Sequence, residues 1–436
     1  MEGNPFACWH GTLHNESKSF VFESDTLFNE DKTIIIAYIG RSKTYNIPKS
    51  VKSIGKYAFS ECYSLTCINI PDSVTSIGES AFYHCNSLTN INIPDSVTNI
   101  RGRAFSYCNS LININIPDSV TSIGDSAFCL CESLTNINIP NSVTSIGDNA
   151  FSWCKSLTDI NIPHSVTSIG NEAFYKCESL ANINIQEGVI IIGDKAFSEC
   201  ESLTSINIPN SVITIGDSAF YKCESLTSIN IPNSMTNIGE SAFYGCSSLT
   251  SINIPDSVTS IGDRVFSVCR SLTSISIPDS VTTIGDSAFY GCSSLTSINI
   301  PHSVTSIGNE AFSECYFLTS INIPNSVIKM AGNPFINWHG ILHNESKSFV
   351  YENHVLFNAD KTIIIAYRAN DKTYNIPESV KSIGEYAFSN CHSLTSINIP
   401  DSVTSIGDSA FNENLNPQIK DDIIKRFGTN AFEIPF

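Results

Sequence analysis

A cysteine recurs at Cys62, Cys85, Cys108, Cys131, Cys154, Cys177, Cys200, Cys223, Cys246, Cys269, Cys292 and Cys315, each 23 residues after the one before. Around every one stands the same pattern, L-x-x-I-x-I-P-x-S-V-x-x-I-G-x-x-A-F-x-x-C-x-S, with few departures. A chain that repeats one short pattern at fixed spacing stacks the copies as rungs, so the fold class is a repeat solenoid. One rung alone leaves both faces of its apolar layer open. Stability is therefore a property of neighbouring rungs, not of any single one.

The apolar spacing gives each rung its shape. In Leu65, Ile68 and Ile70 the two isoleucines flank Asn69, which reads as a short strand with the Ile side chains inward. Pro71 lacks a backbone donor and closes that strand; Val74 and Ile77 then point inward again, and Gly78 permits the next bend. The Ala-Phe-x-x-Cys stretch has room for one helical turn, and the acids before it (Glu79, Asp125, Asp148) read as its N-caps. A period of 20 to 29 residues built on L-x-x-L-x-L is the signature of leucine-rich repeats. The predicted architecture is thus mainly short parallel β-strands with a short helical turn per 23-residue rung, β-hairpin insertions and a C-terminal capping helix.

Charge narrows the partners. The formal charge is -18, and residues 57 to 328 hold 8 Lys+Arg against 24 Asp+Glu. An acidic array without a basic stripe repels phosphate backbones and anionic bilayers, so nucleic acid is not an expected partner. No run of 18 apolar residues occurs, which predicts no membrane insertion. The opening Met1 to Phe6 has neither a basic start nor an apolar run, so no signal peptide is read there. Twelve of the sixteen cysteines share one repeat position. In-register neighbours point the same way with Cβ atoms nearly 5 Å apart, beyond the roughly 3.5 to 4.5 Å of a disulfide, so buried free thiols are expected.

A longer repeat sits on top of the short one. Gly3 to Phe82 realigns with Gly332 to Phe411 at an offset of 329, and within each copy a 14-residue unit occurs twice: Thr12 to Val21 with Thr26 to Ile35, and Ile341 to Val350 with Val355 to Ile364. Each unit reads as a β-hairpin around an Asn-x-Ser/Asp-Lys turn. The expected organisation is 1–45, an N-terminal half-rung and hairpin insertion; 46–330, the continuous array; 331–374, a second insertion; 375–415, the last repeats; and 416–436, a capping helix and tail. Asn416-Pro417, then Ile419, Ile423, Ile424 and Phe427, then Gly428, supply cap, first-turn proline, apolar stripe and stop.

The rung S-L-T-S-I-N-I-P-D-S-V-T-S-I-G-D-S-A-F, nearly verbatim at Ser248 to Phe266 and Ser271 to Phe289, resembles the BspA-like branch of leucine-rich repeats, and the match spans nearly the whole chain. The resemblance implies a surface or secreted microbial protein engaged in adhesion to host proteins or other cells. It carries over no residue motif for that binding. The alternative expectation is an intracellular structural or interaction scaffold, favoured by the free thiols.

Catalysis needs an uneven constellation in a pocket, whereas here nearly every polar residue is copied from rung to rung; neither an enzyme nor a cofactor is expected. His10 and His14, repeated as His339 and His343, have an i, i+4 spacing that suits zinc only on a helix, and nearby Cys8 becomes Asn337 in the second copy, so no metal site is read. Stacked acids, Asp72, Asp95 and Asp118 in one column and Asp125, Asp148, Asp194 and Asp217 in another, are a weak calcium pattern already explained by capping. The Asn column from Asn69 to Asn253 suggests an amide ladder. Where the rungs vary is more telling, because those positions are not needed for the stack. Tyr83, Tyr107, Trp153, Tyr175, Tyr221, Tyr244 and Tyr290 lie just before the cysteine, beside mixed charges such as Lys155, Glu178 and Arg270. These seven are the candidate partner-binding residues, for a protein or glycan met by a monomeric, non-catalytic module. The competing expectation is that the rings merely pack over the rung edge.

Overall fold

The computed structural model describes residues 4–6, 9, 11, 13–389 and 391–432. The chain forms two compact units, Met1–Met235 and Thr236–Phe436, each a parallel β-solenoid.

The first unit opens with an antiparallel meander of Phe20–Glu23, Thr26–Asn29 and Ile34–Tyr38. Ser24 and Asp25, left-handed at φ 47° and 58°, make the two-residue turn that matches strand twist. Ile34–Tyr38 then pairs in parallel with Ser53–Ile54, which begins a ladder of two-residue strands. A second ladder begins at Thr44–Asn46 and runs through Cys67–Asn69 and Asn90–Asn92 to Ser228–Asn230. Register is fixed by the repeat: Asn113 faces Asn136, Ile114 faces Ile137 and Asn115 faces Asn138. The isoleucines of this strand half are buried and the flanking asparagines exposed, as period-two alternation requires. Hydroxyls reinforce the stack. Ser119 Oγ donates to Val97 O at 2.6 Å and Thr144 Oγ1 to Thr121 O at 3.2 Å, one rung back each time.

The other half of each rung is not helical, which corrects the expected helical turn. Ala81, Tyr83 and Cys85 donate their N–H groups to Gly78, Ser80 and Phe82, three residues back. The residues between them donate to the next rung: Ser80 to Gly102 O at 3.0 Å, Phe82 to Ala104 O at 2.8 Å and His84 to Ser106 O at 2.9 Å. Ser80 and His84 are left-handed at φ 54° and 59°, and the equivalent positions of other rungs repeat this. A helix would turn every N–H back on its own rung. Alternating peptides instead share donors between turn and stack, so every second residue ties one rung to the next.

Without a helix the acids cannot be its N-caps, and their role is different. Asp125 Oδ1 accepts from the N–H of Asp148 at 3.1 Å, Asp148 from Asn171 at 2.7 Å, Asn171 from Asp194 at 2.8 Å and Asp194 from Asp217 at 2.9 Å. Each side chain holds the same column position one rung on. The amide ladder expected from the Asn column is confined to one step, Asn184 Nδ2 to Asn161 Oδ1 at 2.6 Å, among the described residues. The other amides of that column are exposed.

Beside the Leu, Ile and Val of the strand half, the turn half gives the core two buried columns. Phe82, Phe105, Phe128, Phe151 and Phe174 stack nearly parallel with centroids 5.2–5.5 Å apart, all without exposure. Beside them column thiols donate to the carbonyl of the Phe one rung back, as Cys85 to Phe59 at 3.1 Å and Cys154 to Phe128 at 3.2 Å, while Cys62 on the first full rung meets Tyr38 O. The nearest partner of a thiol is thus a carbonyl rather than the next thiol. Glycine is required where rungs touch: a Cβ on Gly170 would lie 2.6 Å from the carbonyl carbon of Gly147.

The second unit repeats these features, with Phe243, Phe266, Phe289, Phe312 and Phe335 stacked at 5.7–6.3 Å. Its insertion corrects the reading of paired hairpins. Val355–Asn358 and Ile363–Tyr367 do form an antiparallel pair, but Ile341–Asn344 pairs in parallel with Ser320–Ile323 and so continues the strand ladder. Asn344 Nδ2 donates to Ser346 O and Phe349 O, folding the chain toward Phe349–Glu352, which pairs with Val355–Asn358 across left-handed Asn353 and His354. The open edge of Ser320–Ile323 offers a ready row of donors and acceptors, and that wins over a local hairpin. In the first copy Thr12 lies outside the described residues.

The C-terminal helix, Pro417–Phe427, is as expected: Asn416 Oδ1 accepts from Gln418 N–H at 3.0 Å, and Gly428 at φ 96° closes it. Ile423 is buried against the last rung with Phe411 and Leu415, and Ile419, Ile424 and Phe427 pack beside it. Beyond the helix, Ala431 and Phe432 re-enter the turn column, Phe411 N–H bonding Ala431 O at 2.9 Å.

Candidate binding edge

The left-handed turns decide where the variable side chains point. The core Phe and Cys flank two residues whose side chains leave the core, one in ordinary geometry and one left-handed, and these carry the seven predicted aromatics. All seven are half-buried. In the first unit the rings of Tyr83 and Tyr107 meet edge-on at 5.5 Å, and those of Trp153 and Tyr175 at 6.0 Å. Tyr221 carries Lys222 Nζ 5.4 Å from its ring centre. Tyr244 and Tyr290 stand on the same edge of the second unit.

Residues 23 apart are vertical neighbours, and this brings in His84, Lys176 and Glu199, which the sequence reading passed over, beside Lys155 and Glu178, which it named. His84 lies one rung below Tyr107 and stacks on it at 4.1 Å and 13°. Lys176 follows Trp153 in the same column, its Nζ 4.2 Å from the indole centre. Lys176 also pairs with Glu199 at 3.5 Å, and Tyr175 Oη donates to Glu199 at 3.2 Å. Lys155 lies 5.1 Å from the same indole and pairs with Glu178 at 3.4 Å. The signal that would have found them is the period applied to the variable positions as well as to the fixed ones.

Burial pushes the Tyr83 and Tyr175 hydroxyls above their ordinary range, and Tyr290 rises to about 12 through burial and then Glu314. These phenols are neutral donors at physiological pH. The edge is thus made of half-exposed rings with fixed polar tips and cations held over ring faces, an arrangement suited to contact with another surface.

Among the described residues no group of three or more His, Cys, Asp or Glu converges as a metal site would need. His339 is exposed in the turn half and His343 is exposed on a strand, while Cys8 and His10 lie outside the described residues. No helix among the described residues is long and apolar enough to cross a membrane.

Parallel strand ladders, a 23-residue register and an inward Leu/Ile set define a leucine-rich repeat solenoid. The profile of the BspA type leucine-rich repeat region matches residues 37–157, 144–269, 213–342 and 366–434, in 6 copies. The chain belongs to that family. It is similar to a leucine-rich repeat protein from Bacteroides ovatus, with 34% identity, TM-score 0.60, covering 73% of this chain and 90% of that one. It is also similar to a leucine rich cell surface protein from Faecalibacterium prausnitzii, with 27% identity, TM-score 0.51, covering 88% of this chain and 95% of that one. No curated protein matches. Members of this family are generally non-catalytic binding scaffolds, and leucine-rich repeat proteins typically bind proteins.

Proposed function

We propose that the chain is a non-catalytic adhesion or recognition module of a microbial cell surface, reading a protein or glycan partner through the variable edge. The observation that carries this is the Trp153 cluster: a half-buried indole with Lys176 over its face, Tyr175 at its edge and Glu199 fixing both polar tips. Large rings already held in place lose little entropy on binding, so such residues serve as anchors worth about 2 kcal/mol or more each. The similarity to a cell surface protein supports the location.

The test needs one partner and two variants. With a ligand recovered by pull-down from host-cell extracts, Trp153→Ser with Tyr175→Ser is expected to weaken binding at least tenfold. Asn92→Ser with Asn115→Ser, on the exposed strand face, is expected to leave it unchanged. Loss only in the second variant, with both folded, puts recognition on the strand face instead. Fractionation of the native protein to the cell interior would favour the internal scaffold over the adhesin.

A further inference from the structure

One rung breaks the pattern at two adjacent positions. Where its neighbours read Ile-Gly-Glu or Ile-Gly-Asp, residues 100 to 102 read Ile-Arg-Gly, followed by Arg103. Arg101 occupies the glycine column, where space is least: a Cβ on Gly78 would lie 2.7 Å from the Gly55 carbonyl carbon, and one on Gly124 would lie 2.7 Å from the Gly102 nitrogen. Gly78 and Gly124 donate to Ile54 and Ile100 one rung back at 2.9 and 2.8 Å. Among the described residues Arg101 makes no such bond to Ile77, and the two strands pair only at Ile77 and Ile100. Gly102 sits in the acid column and has no carboxylate to offer, so the ladder that runs upward from Asp125 does not reach it.

The result is a cleft of about 720 Å³, lined among others by Arg101, Arg103, Asn99, Ser122, Glu79 and Asp125. Relative to its neighbours this rung has lost an acid and gained two guanidinium groups. Both are exposed, and neither joins an ion pair among the described residues, although the surrounding array is strongly acidic. Glu79 is already engaged by Lys56 at 3.0 Å, and Asp125 uses Oδ1 on the next rung, which leaves Oδ2 as an acceptor. Paired guanidiniums recognise planar oxyanions, and the two carboxylates alongside oppose a doubly charged phosphate. They also accept from hydroxyls, as can Ser122 Oγ, whose own proton goes to Asn99 Oδ1 at 2.8 Å.

We propose that this cleft binds a sugar residue bearing a single carboxylate, with Arg101 and Arg103 on the acid group and Asp125 and Ser122 on ring hydroxyls. The site goes beyond the aromatic edge and does not depend on it. An acidic peptide is the weaker fit, since repeated carboxylates meet the acidic array and use none of the acceptors.

The experiment measures binding of 3′-sialyllactose and methyl glucuronide to the full chain by calorimetry, with lactose as neutral control and triglutamate as acidic peptide. Saturable binding of at least one acidic sugar, weakened by salt and absent with lactose, is expected, and the two acidic probes identify which carboxylate source fits. Arg101→Gly with Gly102→Asp restores the pattern of the neighbouring rungs, and with circular dichroism and urea midpoint matching the parent, a loss of at least tenfold is expected. Trp153→Ser is expected to bind the sugar like the parent, even if the partner of the aromatic edge is lost. Equal binding of lactose, preference for triglutamate, full retention in the restored variant, or no saturable binding of either acidic sugar overturns the assignment.

Discussion

The strand half and the turn half of each rung solve the same stacking problem differently. In the strand half, backbone bonds run to the rungs on either side and polarity is sorted by simple alternation, as in Asn113-Ile114-Asn115. In the turn half the backbone divides its donors between its own turn and the next rung, and it holds left-handed residues such as Ser80, His84, Tyr107 and Trp153 to do so. The strand half is tied by backbone bonds, hydroxyl bonds and inward Leu, Ile and Val, while the turn half carries the buried Phe and Cys columns and the variable edge. The proposed recognition edge thus lies on the side of the coil that carries the Phe and Cys columns.

Alkali loads the turn half hardest, because the column of buried thiols lies there, although burial also pushes up the hydroxyls of the strand tyrosines Tyr38, Tyr45, Tyr367 and Tyr374. Burial pushes the thiols of Cys108, Cys223, Cys269 and Cys315 up from an ordinary 9.0 to about 12. The unfolded chain then loses its thiol protons first. The contribution is fully present below about pH 9 and is lost as pH rises toward 12, at about 1.4 kcal/mol per thiol per pH unit. With several thiols acting together, cooperative unfolding by circular dichroism is expected between pH 9 and 11. Replacing Cys108, Cys131 and Cys154 together with Ala is expected to move that midpoint upward; an unmoved midpoint assigns the loss to other groups.

Next in size is Phe151→Ala, which opens the aromatic column between Phe128 and Phe174. It is expected to cost about 3–5 kcal/mol in urea unfolding. Thr144→Ala removes only an exposed strand-half hydroxyl bond and is expected to stay within about 0.5 kcal/mol. Comparable losses from the two would remove the asymmetry between the halves.

The C-terminus offers a third test, since there the halves part company: a helix replaces the strand half, while Thr429 to Phe432 continue the turn half. Deleting 416–436 uncovers Phe411 and Leu394 and removes the burial of Ile423, a loss of about 2 kcal/mol. Association is expected by light scattering. A truncated chain that stays monomeric and equally stable makes the helix a free docking element rather than a lid.

The two halves also differed in how openly the sequence displayed them. Ile-x-Ile with proline behind it has one physical solution in a repeated array, and Asn416-Pro417 with Gly428 marks a helix by its ends alone. The turn half was opaque because Ala-Phe-x-x-Cys has the same spacing as a helical face; spacing does not distinguish one helical turn from linked β-turns. The distinguishing signal was present in Gly245 and Gly291, which fill the position before the cysteine at φ 72° and 67°. Asn149 and Asn337, residue types that tolerate left-handed geometry, stand at left-handed turn positions too. The aromatic edge was legible as a set of residues but not as clusters, because His84 and Lys176 become partners only through vertical adjacency. The rung at Arg101 was legible as a departure, yet its meaning needed the distances around Gly78 and Gly124.

The smallest effect isolates the backbone itself. Ser218 is left-handed at φ 55° in the turn half, and Ser205 is extended in the strand Ser205–Asn207. A non-glycine residue in left-handed geometry costs roughly 1 kcal/mol, an expense that glycine avoids although its unfolded chain has more freedom to lose. Ser218→Gly is therefore expected to be neutral or to stabilise by up to about 0.5 kcal/mol. Ser205→Gly has no strain to relieve, only freedom to lose, and is expected to destabilise by about 0.5–1 kcal/mol. Opposite signs in paired urea titrations establish that the turn half stores strain that the strand half does not. Equal destabilisation by both would mean that the left-handed residues are held at no cost, and that the two halves differ in pattern but not in energy.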